Sequence, residues 1–562
     1  MNKKDLRIFL ESQPNDFSYQ RNKSNLNINF NRVSFIFFIF FIIFLVYSIH
    51  LIHLGSRKAK IEIIQNSKLT KNNLYRADIL DINKKYLVKT LNSIDIGISP
   101  PKIIDQKKLL INLQYIFPNK DYNEVRQRIK KGKFFYFEKK ISEENYEKLM
   151  QLGDKSIEPR NNLIRIYPQK NLFSHIIGQI DNDNNGISGL EKSLDEQLKN
   201  TQKPVTLTVD KDIQYLIRNE LIKFNEIFNT NGSAAILMNV NNGEILSLVS
   251  LPDFDPNQRE KINDKNFINR ATKGVYEFGS VFKTFTLAAA FDEKIIEPQT
   301  EFNNLPKSLN CAGFSISEYD DKIPSNLTAE QILIRSGNIG SVRIGQKIGQ
   351  ENLKLFLSKI GILDQIKFDI EEVGRPIKFK WGKCPLATTS FGHGITTTLL
   401  QLAKAYSIIV NGGFNIQPRL IKNIKETKKE KILDKEVSKK ILPILRKIVS
   451  TKQGTASLAN VDGYEIGGKT GTAQKSSGGS YTKKKINSFI SIFPTSKPKF
   501  VLAVMLDEPK TNQDYIYHYR DGSNIKYKGT PFNTAGWTTV EVTGQIVEKI
   551  GPILATKYSD IN

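Results

Sequence analysis

Three textures of hydrophobic and polar positions succeed one another along this chain. From Val33 to Leu54 it reads V-S-F-I-F-F-I-F-F-I-I-F-L-V-Y-S-I-H-L-I-H-L, 22 residues without a charge. At ~1.5 Å rise per residue that is a helix of about 33 Å, enough to cross a bilayer core. The run exceeds the apolar region of a cleaved signal, and H-L-I-H-L-G-S-R lacks a small-residue cleavage site. It predicts a retained anchor at 33–54 behind a tail at 1–32. From 55 to about 200, short apolar runs alternate with charged helical stretches such as E-E-N-Y-E-K-L-M. Within them N-G-I-S-G-L-E-K-S-L-D-E-Q-L (185–198) reads as a linker entering a helix.

The third texture begins near residue 228. Two β-rich runs, A-A-I-L-M-N-V and E-I-L-S-L-V-S, flank N-N-G and predict a hairpin turning at Gly243. V-F-K-T-F-T-L-A-A-A-F is apolar nearly all round, as a helix buried on every side must be. Thr328-x-x-Gln331 and Thr398-x-x-Gln401 read as capping boxes, and the second helix stops at Asn411-Gly412-Gly413. β-structure returns in S-F-I-S-I-F and F-V-L-A-V-M-L, on either side of P-T-S-K-P. Strands at both ends with helices between predict an α+β domain over 201–562, one antiparallel sheet packed with helices. The 55–200 segment then forms a separate, mixed α/β domain.

Charge changes this picture little. The net charge is +25, yet no aromatic RNA-binding motif, Cys/His finger or concentrated Arg patch accompanies it. A general lysine bias explains it, and nucleic acid is not an expected partner. Five scattered histidines without H-E-x-x-H suggest no metal, and no cofactor is implied. Cys311 and Cys384 could pair in an oxidising compartment, but two separated cysteines are more often free, and the sequence leaves the matter open. Counting lysines and arginines beside the anchor would leave the large domain in the cytoplasm. Long domains, however, cross membranes largely regardless of flanking charge.

Candidate chemistry starts from Y-E-F-G-S-V-F-K, 276–283. A serine and a lysine three residues apart share a helix face and could hydrogen-bond. The amine could take the proton of an otherwise weak nucleophile. S-x-x-K occurs five times, at Ser99, Ser280, Ser480, Ser496 and Ser523. Proline follows Ser99 and Ser496 within two residues, and Ser480 and Ser523 lie in polar stretches. Only Ser280 heads a buried helix, where desolvation would push the Lys283 pKa down. Bringing it from ~10.4 to a base near neutrality needs about three units, roughly 4 kcal/mol, and a second cation nearby would help. A rival pattern, G-Y-E-I-G-G-K-T (463–470), fits a P-loop in full, but that motif needs a helix directly after it. Here Gly471 and the pair Gly478-Gly479 follow.

S-x-x-K at 280–283, S-G-N at 336–338 and K-T-G at 469–471, in that order, resemble the penicilloyl-serine transferases: penicillin-binding proteins and serine β-lactamases. The resemblance implies an acyl-transfer site acting on peptidoglycan stem peptides. Ser280 would attack the penultimate D-Ala carbonyl and Lys283 would accept its proton. Ser336 and Asn338 would complete the network. Lys469, Thr470, Gly471 and Thr472 would bind the substrate, with Gly471 leaving room along the strand, and Lys469 would also help keep Lys283 neutral. The backbone N–H groups of Ser280 and Thr472 would form the oxyanion hole.

Further stretches look like the class B members: R-A-D-I-L-D around Arg76, Asp78 and Asp81, R-I-Y-P (165–168), H-I-I-G (175–178) and G-L-E (189–191), with no glycosyltransferase region before them. F-G-H-G-I-T, D-E-P-K and T-A-G-W are similar to the cell-division transpeptidases. Phe278 departs from the pattern, standing where many members have Pro, and T-T-V-E-V lacks the expected Ala-Pro. The resemblance implies β-lactams as inhibitors, a SEDS-family glycosyltransferase and other division proteins as partners, and a periplasmic catalytic domain on an inner-membrane anchor. An elongation transpeptidase, a β-lactam-hydrolysing enzyme and a non-catalytic scaffold share these motifs and stay open at this point.

Overall fold

A computed structural model describes residues 34–52, 75–258, 267–422, 430–477 and 480–558. The predicted tail, Val33, His53, Leu54 and the Gly478-Gly479 pair lie outside the described residues. Ser34–Ile52 forms one helix, α1, of 19 residues, long and apolar enough to cross a membrane.

The segment after residue 75 builds on a 13-residue strand, β1 (Tyr86–Ile98), paired antiparallel with β2 (Ile157–Ile166) in the register Lys89 to Ile166 and Ile98 to Ile157. Helices Gln106–Ile116, Tyr122–Lys130 and Glu143–Met150 close a small core of their own on Ile96, Ile98, Leu109, Leu113 and Leu149. Ala77, Ile79, Leu87 and Val88 instead belong to one continuous core with the residues from Val205 onward.

The segment 185–198, which reads as a linker, is instead a structural knot. Glu191 is completely buried and accepts from Arg76 Nε at 2.5 Å, from Arg165 Nε at 2.8 Å and from Tyr167 OH at 3.2 Å. Asp195 takes Arg76 Nη1 at 2.7 Å. Three motifs far apart in sequence, around residues 76, 165 and 191, thus neutralise one another at a single point. The glycines of H-I-I-G and G-L-E meet there backbone to backbone: a Cβ on Gly178 would lie 1.9 Å from the Ser188 carbonyl.

Beyond Asp210, whose carboxylate caps α2 (Lys211–Ile227), comes the predicted hairpin: β3 (Gly232–Asn239) and β4 (Ile245–Leu251), turning through Gly243 at φ +74°. A 3₁₀ turn, Gly279–Phe282, leads into α3 (Lys283–Asp292). A mostly exposed hairpin follows, β5 (Ser308–Cys311) and β6 (Phe314–Ser317), and then α4 (Ala329–Ile334) and α5 (Asn338–Ile348). Next are α6 (Lys383–Thr389), α7 (Leu399–Val410) and α8 (Lys435–Ser450). Both predicted capping boxes are present, at Thr328 for α4 and Thr398 for α7.

Strands β7 (Gly467–Ser477), β8 (Ser480–Phe493) and β9 (Phe500–Asp507) and the last helix, α9 (Thr539–Lys557), complete the chain. The sheet runs β7-β8-β9-β3-β4, antiparallel throughout. Every position of β3, β4 and β9 is buried, so helices cover both faces: α2 and α9 pack together, as do α7 and α8. The α+β prediction holds. One edge, β7, carries Lys469-Thr470-Gly471. The strand runs on to Ser477 with no helix after Thr470, so the P-loop pattern is not a P-loop.

Cys311 at the end of β5 and Cys384 in α6 are joined in a disulfide, with Cα atoms 5.6 Å apart. The bond ties the exposed hairpin to the body of the domain.

Candidate active site

Helix α3 is buried along Lys283–Phe291 because Phe282, Phe285, Leu287, Phe291 and three alanines fill the domain centre. Tyr406 of α7 fastens its start, donating to the Val281 carbonyl (2.8 Å) and Thr284 Oγ1 (3.0 Å). Ser280 sits one turn earlier, half-buried, on the 3₁₀ turn rather than in the α-helix. Of the five S-x-x-K serines it alone lies on a turn that opens an α-helix. Gly279 adopts φ +60°, and a Cβ there would stand 2.8 Å from the Thr472 carbonyl. The Gly279–Phe282 turn and strand β7 are therefore in close contact. Phe278, the departure from the family pattern, is fully buried and contributes its side chain to the core.

Lys283 is 2% exposed. Its Nζ donates to the Ser336 carbonyl (2.5 Å), Ser336 Oγ (3.2 Å) and Asn338 Oδ1 (2.7 Å). It makes no hydrogen bond to Ser280, whose hydroxyl has no partner among the described residues; the anticipated Ser280–Lys283 bond is not formed. Ser336 lies between α4 and α5 in the left-handed region, φ +56°, a conformation a serine holds only under constraint from its surroundings. Its hydroxyl also accepts from Lys469 Nζ at 2.9 Å. Lys469 is completely buried and donates further to the Thr470 carbonyl at 3.2 Å. One serine oxygen thus bridges two lysines that stand no more than about 6 Å apart.

Burial depresses both amines. Lys283 is lowered to about 7, with the Glu318 carboxylate pulling weakly the other way. Lys469 is driven further down, by burial and then by the charge on Lys283. Burial is the first cause for both, and two like charges this close further disfavour protonating the pair together.

Thr470 Oγ1 lies 2.8 Å from Thr455 Oγ1. Thr472 Oγ1 accepts from the Ala535 amide at 2.9 Å, which anchors T-A-G-W to the strand. Packing inside the protein also requires Gly471: a Cβ there would lie 2.2 Å from the Phe278 carbonyl and 2.7 Å from Ser488 Oγ. F-G-H-G packs on the nucleophile turn in the same way, since a Cβ on Gly392 would be 1.9 Å from the Gly279 carbonyl. Ser280, Lys283, Ser336, Asn338, Lys469, Thr470, Gly471 and Thr472 thus come together in one place.

Three further residues join them. Glu277 accepts from Tyr481 OH (3.0 Å) and the Gly394 amide (2.9 Å), and Tyr481 faces the His393 ring at 4.5 Å. Glu318 holds the start of α5. Only Glu277, inside Y-E-F-G-S, lay close enough to a motif to be noticed. The other two come from segments without a local signature.

Comparison with known proteins agrees with this geometry. The penicillin binding protein transpeptidase domain matches residues 233–523, and the penicillin-binding protein dimerisation domain matches 71–223. The probable peptidoglycan D,D-transpeptidase FtsI of Caulobacter vibrioides is 28% identical over 500 residues, covering 86% of this chain and 82% of its own. The peptidoglycan D,D-transpeptidase FtsI of Buchnera aphidicola is 30% identical over 465 residues, 73% and 80% of the two chains. The crystal structure of penicillin binding protein 3 from Mycobacterium tuberculosis shares the fold, with a TM-score of 0.65 at 21% identity, over 87% of this chain and 97% of that one. The chain belongs to the penicillin-binding proteins, and within them to class B, as an FtsI-like member.

Proposed function

We propose that this chain is a serine D,D-transpeptidase that cross-links peptidoglycan stem peptides during septal wall synthesis and is acylated by β-lactams. The observation that carries the reading is a buried lysine, lowered to about 7, held by Ser336 and Asn338 one turn from a serine whose hydroxyl is free. In this reading Ser280 Oγ attacks the penultimate D-Ala carbonyl while Lys283 Nζ takes its proton. The backbone N–H groups of Ser280 and Thr472 bind the oxyanion. The C–N bond then breaks, and the leaving D-Ala amine receives the proton through the Lys283–Ser336 network. An acceptor amine attacks the resulting ester, gives up a proton along the same route and releases Ser280. The absence of a Ser280–Lys283 bond in the free protein does not count against this, since such bonds tighten once substrate is bound.

Lys469, Thr470 and Thr472 hold the terminal carboxylate. Strand β7, at the sheet edge, offers backbone groups to an extended peptide. A β-lactam presents its ring amide to the same serine. Ser280→Ala should abolish covalent labelling by a fluorescent penicillin without changing the fold. Labelling that persists, or rapid turnover of the label by the unaltered protein, would overturn the reading.

The domain organisation follows the same lines: a cytoplasmic tail (1–32), an inner-membrane anchor (33–54), a pedestal (55–200) and the transpeptidase domain (201–562) in the periplasm. A disulfide is at home in an oxidising compartment, which supports this orientation. A SEDS-family glycosyltransferase and other division proteins are the partners the reading implies. A C-terminal alkaline phosphatase fusion should be active; an inactive one beside an active cytoplasmic reporter would reverse the topology.

A further inference from the structure

Glu318 follows the β5–β6 hairpin and reaches the site from outside every matched motif. Its carboxylate accepts two backbone N–H groups at once, Asn338 at 2.6 Å and Ile339 at 3.0 Å. These open α5. Gly337 occupies the cap position and has no side chain to offer, so a distant carboxylate does what an adjacent Ser or Asp usually does. The neighbouring Ser317 carbonyl accepts from Asn338 Nδ2 at 2.8 Å. With its backbone N–H and side-chain amide both held, Asn338 points Oδ1 at Lys283 Nζ, 2.7 Å away. The charged groups that face Lys283 are Glu318, beyond the hairpin, and Lys469 on β7. The Ser336–Asn338 turn adds only neutral oxygens.

We propose that Glu318 is a positioning residue for acyl transfer, fixing Asn338 and through it the Lys283 amine. The proposal rests on the reading of Ser280 as nucleophile and Lys283 as proton acceptor. Geometry and charge then make separate marks. A carboxylate at 318 favours the protonated form of Lys283, so removing its charge lets Lys283 act as a base at lower pH. Shortening the side chain keeps the charge but loosens the cap.

The test measures second-order acylation by a fluorescent penicillin from pH 5.5 to 9, on full-length protein in detergent. For Glu318→Gln, the plateau rate should fall about 10-fold and its midpoint should move down by about half a pH unit. For Glu318→Asp the plateau should fall with the midpoint unchanged. If the unaltered protein is not acylated, the transpeptidase reading itself fails. If it is acylated and the Glu318→Gln profile superimposes on it, this inference alone is overturned. A lower Glu318→Gln plateau with an unmoved midpoint also overturns it, because that marks a merely structural residue. Should Glu318→Gln not fold, Glu318→Asp decides in a cycle with Asn338→Ala: an unaltered rate, or losses that add in the double variant, refutes the proposal, and a lower plateau that costs nothing further once Asn338 is removed supports it.

Discussion

Lys283→Met removes an ammonium from the domain centre while keeping most of the side chain's volume, and its effect on stability can be worked out. In the folded protein the amine titrates near 7, against ~10.4 in an unfolded chain. Between those values the unfolded state holds a proton that the folded state has released. Stability therefore rises with pH across this window. At pH 7 this one group costs the fold about 4 kcal/mol, and at pH 9 about 2 kcal/mol. Methionine carries no such term. It also leaves the Ser336 carbonyl and Asn338 Oδ1 without their donor, at about 1 kcal/mol or more each. The variant should thus be the more stable protein at pH 7, by about 1–2 kcal/mol, and lose that advantage by pH 9. Both tryptophans, Trp381 and Trp537, pack against the core that surrounds the Lys283 helix, so their fluorescence during urea unfolding reports on the relevant part of the chain. Acylation would vanish in the same variant. Unfolding energies that stay a constant distance apart from pH 7 to 9 would refute the reasoning, because Lys283 would then titrate alike in both states.

Lys469→Gln separates the two lysines. If Lys469 carried its charge in the free protein, removing it at about 6 Å would relieve roughly 3 kcal/mol at an effective dielectric of 20 and raise the Lys283 midpoint by about two units. Because burial is the first cause of the shift on both amines, the midpoint of second-order acylation should stay within about half a unit, while acylation by carboxylate-bearing penicillins falls 100-fold or more; a two-unit rise would show that the Lys469 charge sets the Lys283 midpoint. Gly471→Ala should cut acylation at least ~10-fold and lower the melting temperature, because its Cβ meets the Phe278 carbonyl; an unchanged rate would mean that strand and nucleophile turn need not touch.

How far the sequence could be read depends on the range of the interaction behind each feature. The hairpin at Gly243, the capping boxes at Thr328 and Thr398 and the buried helix from Lys283 are set by neighbours within a few residues, and all were legible. The candidate site was legible only as three short motifs in order. Their meeting at one Ser336 hydroxyl is a fact of three dimensions. Glu318 and Tyr481 were invisible because each acts across a gap with no periodicity to mark it. The segment around Glu191 misled for the opposite reason: its glycines and polar residues have a linker's composition, yet they serve close backbone packing and a buried ionic cluster. Cys311 and Cys384 lie 73 residues apart, too far for spacing to reveal their bond.

The Glu191 cluster also bears on how the protein is made. Arg76 and Glu191 are 115 residues apart in sequence, and β1 waits for a partner that begins at Ile157. A ribosome adding roughly 5–20 residues per second leaves Arg76 on the order of ten seconds without its counter-charge. This cluster therefore closes only after the chain has lengthened well past Arg76. During that interval one edge of β1 stays unpaired. Chaperones of the emerging chain would have most to protect here, between the birth of residue 98 and that of residue 191.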